Sequence, residues 1–269
     1  MAVRFSLPAE HPKVALVTID RPEQANSLDP PTIVALAAAW KRIAADGNIR
    51  CAVVTGAGER VFCAGMDMKS TIPISQRFAR GEPIDDAERE ALRNVGVALL
   101  AGFDLGKPLV AAVNGHARAG GFDLLLATEI RFAVPHATFA LEEVALGLYP
   151  TGNATVALPR QIAWVHAHEL LLGARPIDAE RARSIGLVNE VVAPRELLPR
   201  AFECADAIAR NAPLAVSETR RGVREILHLS LADAYRRQEE IGRELRKTED
   251  AREAQRAFVE KRKPVWKGR

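Results

Sequence analysis

Cysteine is scarce. Cys51, Cys63 and Cys204 are the only three in 269 residues, and their spacing suits neither a disulfide framework nor a zinc site. A reducing cytosol fits such a chain, so a cytoplasmic location is expected and no metal is. Long apolar runs are missing too: charged residues break each one well before the roughly 18 residues of a membrane span. The opening "MAVRFSLPAEHPKVALVTIDRP" has no basic segment leading into an apolar one, so neither secretion nor a membrane partner is expected. Charge of one sign is not in large excess either. The 37 basic and 34 acidic residues intermix to a net +3, which argues against a nucleic-acid partner. There is no G-x-S-x-G elbow, phosphate-cradling loop or dinucleotide fingerprint, and the six histidines show no pairing, so serine-hydrolase, nucleotide-driven and redox chemistries lack their usual signatures.

What is present is enough apolar sequence, 48% of residues against 26% charged, to bury a sizeable core as one large or two modest domains. "VALVTID" (14–20), "CAVVTG" (51–56) and "LVAAVNG" (109–115) read as strands. Between the first two, Pro30 and Pro31 open a helix with Ile33, Val34, Leu36, Ala37 and Trp40 at helical spacing and a stop at Gly47. Residues 70–90 are poorly patterned, and a helix is expected from about Ala87 to Phe103. "EIRFAV" and "ATFALEE" are two further strands joined by a turn at Pro135. The alternation of strand and helix indicates a layered α/β fold. From Trp164 the pattern is mostly helical, and from about Leu197 strongly so, with Pro213 as a break. The division expected is a core over 1–196 and a helical region over 197–269. The basic ending "EKRKPVWKGR" suits a solvated helix end or an anionic ligand.

One stretch, "NGHARAGGFDLLLATEI" (114–130), places Gly120, Gly121 and Asp123 at the start of a buried helix. Glycine lets a ligand approach the backbone, and first-turn N–H groups lack partners within the helix, so the place suits negative charge; close helix packing would also account for the glycines. "RVFCAGMDMKS" repeats the arrangement with Ala64 and Gly65 before a helix start at Asp67. Two backbone donors aimed at one point make an oxyanion hole for a thioester carbonyl becoming an enolate. Asp123 and Glu143, the latter in "FALEEVALGLYP", supply two carboxylates, though a Glu142–Glu143 pair also fits a solvated loop. Cys63 and His116 read as packing or loop residues.

Taken together, "VFCAGMDMK", "NGHARAGGFDLLLATEI" and "FALEEVALGLYPTG", with "TIDRPEQANSL", "LLGARPIDAERARSIGLVNEVV" and the ending "TEDAREAQRAFVEKRKPVWKG", resemble the enoyl-CoA hydratase/isomerase (crotonase) superfamily over nearly the whole chain. The resemblance implies a right-handed, crotonase-like spiral of repeated ββα units with a C-terminal helical trimerisation region, and a homotrimer or hexamer. It implies Ala64 and Gly120 as oxyanion donors, and Asp123 and Glu143 as the catalytic acids. Gly65, Asp67, Gly121 and Lys261 are the implied substrate-binding positions, Lys261 with Arg262 and Lys263 lying where family members offer basic groups to CoA phosphates. The implied partner is an acyl-CoA thioester, with no metal or separate cofactor.

Three departures bear on the reaction. The first acid is Asp123 where hydratases carry Glu, Glu142 stands where Pro is common, and "PTGNA" (150–154) replaces a glycine-rich loop. Dienoyl-CoA isomerases share the Asp–Glu pair but carry a third acid where this chain has Thr151. Reversible hydration of a 2-enoyl-CoA is therefore the leading expectation, double-bond isomerisation the second, and a non-catalytic acyl-CoA binder the third.

Overall fold

The computed structural model describes residues 2–269. Two sheets share the strands, which alternate between them from β3 to β8. β1 (Val3–Ser6) and β2 (Val14–Ile19) form an antiparallel pair, and β3 (Cys51–Gly56) continues the same sheet in parallel. The chain then crosses to a second sheet for β4 (Val61–Cys63), returns for β5 (Leu109–Val113), and crosses again for β6 (His116–Arg118). β7 (Ile130–Ala133) and β8 (Thr138–Ala140) repeat the step, and β9 (Ile177–Asp178) and β10 (Glu190–Val191) close the smaller and larger sheets. The orders β1-β2-β3-β5-β7-β10 and β4-β6-β8-β9 show a spiral in which each turn lays one strand on each sheet. An isolated parallel bridge between Leu28 and Met66 adds an earlier turn beside the smaller sheet.

Helices fill the space between strand pairs. α1 (Pro30–Ala45) starts where the Asp29 side chain accepts from Thr32 N–H at 2.9 Å, with proline in its first turn, where a missing N–H leaves no helix bond unmade. Ile33, Leu36, Ala37, Trp40 and Ile43 are its buried stripe. The unpatterned 70–90 region folds as α2 (Thr71–Ala79), which buries only Thr71 and Ile74 and so leaves little periodic signal. α3 (Asp86–Ala98) opens on a capping box between Asp85 and Glu88 and ends five residues before Phe103, because Leu100 turns left-handed at φ 54°. α4 (Gly120–Leu126) is wholly buried. α5 (Ala154–Gln161), α6 (Trp164–Gly173) and α7 (Ala179–Ser184) follow.

The C-terminal helices are α8 (Leu197–Ala209), α9 (Pro213–Ile226), α10 (Leu231–Leu245) and α11 (Glu249–Val259). The helical region expected from Leu197 opens with α8. α8 packs on β3, β5 and β7, and its Leu197, Ala201, Phe202, Ala205 and Ala209 join the central core. Only α9 to α11 stand apart, with few buried residues each. Among the described residues no helix is long and apolar enough to cross a membrane.

Trp40 ties α1 to α3. It is completely buried, and its indole N–H donates to the Ala98 carbonyl at 3.0 Å, holding the end of α3 that walls the cavity described next. Trp40→Ala should destabilise the fold by about 3–5 kcal/mol, read as a lower denaturant midpoint at unchanged m-value; a loss below about 1 kcal/mol would show that α3 is held elsewhere.

Candidate active site

Between β6 and α4 the chain turns a corner at Ala119, with φ 43° and ψ −120°. An L-residue is strained there and stays only where its surroundings fix it. The fixing bonds are Ala119 N–H to the Ala140 carbonyl at 3.0 Å and Asp123 N–H to the Ala119 carbonyl at 2.9 Å. The corner leaves the Gly120 N–H as the first of α4, with no acceptor among the described residues. Gly121 does not make the turn. A β-carbon there would lie 2.1 Å from the Cys63 carbonyl oxygen, so its glycine allows α4 to press on β4.

The second donor is not the residue expected. Ala64 N–H is occupied, donating to the Ala25 carbonyl at 3.1 Å. Leu28 N–H donates to Gly65 O at 2.8 Å, and Asp67 N–H to Leu28 O at 3.1 Å. In a parallel bridge that pattern points the N–H of the intervening residue, Met66, away from Leu28. No described residue accepts from it. It lies beside α4: a β-carbon built on Gly120 would be 3.6 Å from Met66 N, and one on Gly65, at φ 85°, only 2.8 Å from Gly120 N. Gly65 therefore lets two free donors, Met66 N–H and Gly120 N–H, sit side by side.

These donors border a cavity of about 880 Å³ that also contains Asp123 and Glu143. A larger cleft, about 1210 Å³, along β1 and the start of α8 holds neither carboxylate. Asp123 is 3% exposed. Its Oδ1 accepts from Asn153 N–H at 2.8 Å and Ala154 N–H at 2.7 Å, the start of α5, while Oδ2 has no described partner. Gly152, at φ 78°, passes so close that a β-carbon would fall 2.8 Å from the carboxyl carbon. Burial pushes the Asp123 carboxyl up to about 7, and the charge of Glu143 adds to this against the two N–H bonds. Glu143 begins a short 3-10 turn (Glu143–Leu146). Its Oε2 is buried without a hydrogen bond, and burial followed by the nearby Glu142 charge raises its carboxyl as well. Burial thus raises both carboxyls within one cavity, the setting in which carboxyl groups serve as proton donors and acceptors.

Other expected positions serve the frame. Asp67 accepts from Lys69 N–H at 2.9 Å, from the Ser27 hydroxyl at 3.1 Å and from Arg21 at 3.3 Å. Burial alone would raise its carboxyl, yet these bonds hold it below the usual range, as a structural anion. Lys261 lies exposed beyond α11 and does not line the cavity of its own chain. Glu142 pairs with Arg118 at 3.0 Å. Two supports had no sequence signal. The Asn153 side chain donates to Leu99 O at 2.9 Å and Asp123 O at 3.0 Å. Arg131, buried inside β7, donates to Leu125 O at 3.0 Å, Thr128 O at 2.8 Å and the Gln161 side chain at 2.6 Å.

The sequence model of the enoyl-CoA hydratase/isomerase family matches residues 9–269. The chain belongs to that family and is an enzyme of it. It is 40% identical over 254 residues to the enoyl-CoA hydratase EchA19 of Mycobacterium tuberculosis, covering 94% of this chain and 93% of that one. To the carnitinyl-CoA dehydratase of Proteus mirabilis it is 38% identical over 257 residues, 94% of each. The crystal structure of an enoyl-CoA hydratase from Bacillus anthracis superposes with a TM-score of 0.88 at 32% identity, covering all of both chains.

The raised carboxyl of Asp123 links the site to stability. An unfolded Asp titrates near about 3.9, so between there and about 7 the folded chain keeps a proton that the unfolded chain has released. The stability this brings is complete below the lower value and is lost as pH rises through the upper one. Relative to Asp123→Asn, which cannot ionise, the wild type should lose roughly 1.4 kcal/mol per pH unit within that window. Melting of both proteins from pH 4 to 8 measures it, and a pH-independent difference in Tm would refute the assignment.

Proposed function

We propose that the protein is a hydratase-type lyase that adds water reversibly to a 2-enoyl-CoA thioester. The observation that carries this reading is the pair of buried carboxyls, Asp123 and Glu143, set beside two unoccupied N–H donors in one cavity. The thioester oxygen accepts from Met66 and Gly120 N–H, which stabilise the enolate as it forms. Asp123 Oδ2 takes a proton from water as its oxygen bonds to C3, and Glu143 gives its proton to C2. The proton thus passes from Glu143 to Asp123 in each turnover and is redistributed through solvent. Hydratase and dehydratase relatives of similar length support the direction of this chemistry.

A second reading rests on Glu143 alone. Its buried, unpartnered Oε2 suits a base that removes a proton and returns it two carbons away, leaving Asp123 as the anchor of α5. The two readings separate when crotonyl-CoA and a 3-enoyl-CoA are supplied. Hydration predicts hydroxyacyl product from crotonyl-CoA, with Asp123→Asn and Glu143→Gln each lowering kcat/KM by about a hundredfold or more. Conjugation of the 3-enoyl thioester, with Asp123→Asn fully active, would instead establish isomerisation. Gly120→Pro removes the donor at a first-turn position that tolerates proline and should cut turnover by about two to three orders of magnitude.

The same reading includes assembly. Val223, Leu227, Leu231, Tyr235, Phe258 and Val259 leave apolar surface exposed on α9 to α11, and covering it in a homotrimer or hexamer would bring Lys261 toward a neighbouring subunit's CoA. Light scattering at micromolar concentration should give a multiple of three chains; a monomer would count against it.

A further inference from the structure

The catalytic cavity does not end at the carboxylates. From the Met66 and Gly120 donors it passes Asp123 and Glu143 and reaches Asn153, Val156 and Gly102. Those last three residues also border a second cleft of about 660 Å³ between the end of α3, α5 and α9. Asn153 N–H binds Asp123 Oδ1, and Val156 lies one helical turn further along α5. A thioester fixed by the two donors, with C3 at the carboxylates, therefore sends its acyl group along the first turn of α5 toward this junction.

The walls specify what can follow that path. Among the described residues, the catalytic cavity has no Lys, Arg or His on its lining but has three acids, Asp123, Glu142 and Glu143. An acyl group with a carboxylate near the reacting carbons would find no cation on that lining and be left unpaired. The acyl-side wall is otherwise apolar, including Leu92, Val95, Leu99, Leu148 and Val156. In the second cleft Leu100, Phe103, Leu105, Leu126 and Leu227 continue the apolar lining. Three of its arginines are ion-paired, Arg220 with Asp104 and Glu129, Arg221 with Glu218 and Glu225, and Arg224 with Glu129, while Arg160 binds only the Val156 carbonyl.

We infer that the substrate is a thioester with a long or bulky apolar acyl group that carries no charge near the reacting carbons and whose distal end passes Val156 into the second cleft, Val156 being the specificity-determining residue at the junction. The inference rests on the acyl-CoA reading above, and its test keeps the two apart. Binding of saturated butyryl-CoA and decanoyl-CoA to the full-length protein, measured by calorimetry, needs no turnover. Each methylene buried adds enough apolar contact that decanoyl-CoA should bind at least about tenfold tighter, and Val156→Trp, which plugs the junction, should reduce that ratio to about twofold or less. Val156→Phe is the milder plug if the Trp variant does not fold. In turnover, 2-decenoyl-CoA should exceed crotonyl-CoA in kcat/KM, and a five-carbon enoyl thioester ending in a carboxylate should be the poorest of the three. Length-independent binding, an equal effect of Val156→Trp on both thioesters, or preference for the carboxylate-ended substrate would overturn the inference. A retained length preference with no hydration of any thioester would support the acyl path while removing the hydratase reading alone.

Discussion

Keeping the Asp123 carboxylate out of water is the constraint around which the site is arranged. A buried carboxylate without partners is strongly disfavoured, and here the compensation comes from backbone: Oδ1 takes the first N–H groups of α5, which no helix bond would otherwise use. One contact therefore joins two helices. Asp123 sits in the first turn of α4, whose leading N–H belongs to Gly120, so fixing the carboxylate on α5 also fixes the donor. At the far ends Arg131 binds Leu125 O and Gln161, and Gln161 donates back to Leu126 O at 2.8 Å. Burial lowers the Arg131 guanidinium to about 10, and the carbonyls gathered around it keep it satisfied. The two helices are thus bound at both ends, leaving Oδ2 as the unengaged oxygen.

The larger features of this arrangement were legible in the sequence because they depend on long, regular patterns. β2, β3 and β5 are runs of five or six largely buried residues, and α1 has an unbroken apolar stripe. Of the smaller sheet only β8, inside "ATFALEE", was legible. β4 and β6 have three residues each, too few to show alternation, and they exist because the spiral places them beside one another. α2 was hidden for the reason that makes it a cavity wall: it buries little against the core. Helical periodicity from 197 onward did not reveal what each helix packs on: α8 joins the central core, while α9 to α11 bury few residues.

Within the site, side chains were easier to place than backbone. Asp123 and Glu143 were found as carboxylates next to turn chemistry, and both line the cavity. The donor in "CAGMD" was displaced by two residues. In a regular strand N–H direction alternates and can be counted, but Gly65 at φ 85° breaks the count between Ala64 and Met66. Only the bonds of Leu28 to Gly65 and Asp67 show which N–H is turned outward. Arg131 left no trace, since a lone arginine in a strand reads as a solvent-facing residue until the carbonyls at the end of α4 are found gathered around it.

The two departures at 123 and 150–154 are one structural unit. An aspartate ends one methylene nearer its backbone than a glutamate, so a carboxylate at position 123 reaches less far into the cavity. The structure closes that distance from the other side. Gly152 brings the loop against the carboxyl group, where any β-carbon would collide, and Asn153 pins the loop to Leu99 O and Asp123 O through its side chain while its N–H grips Oδ1. A longer acid at 123 would meet Gly152 and the start of α5 before it could extend. A loop without Asn153 would leave Asp123 short of its donors. Each change is costly alone and compatible with the other, and their joint effect is a carboxylate held by one oxygen with the second left for water. The acid is placed by the helix that comes to it.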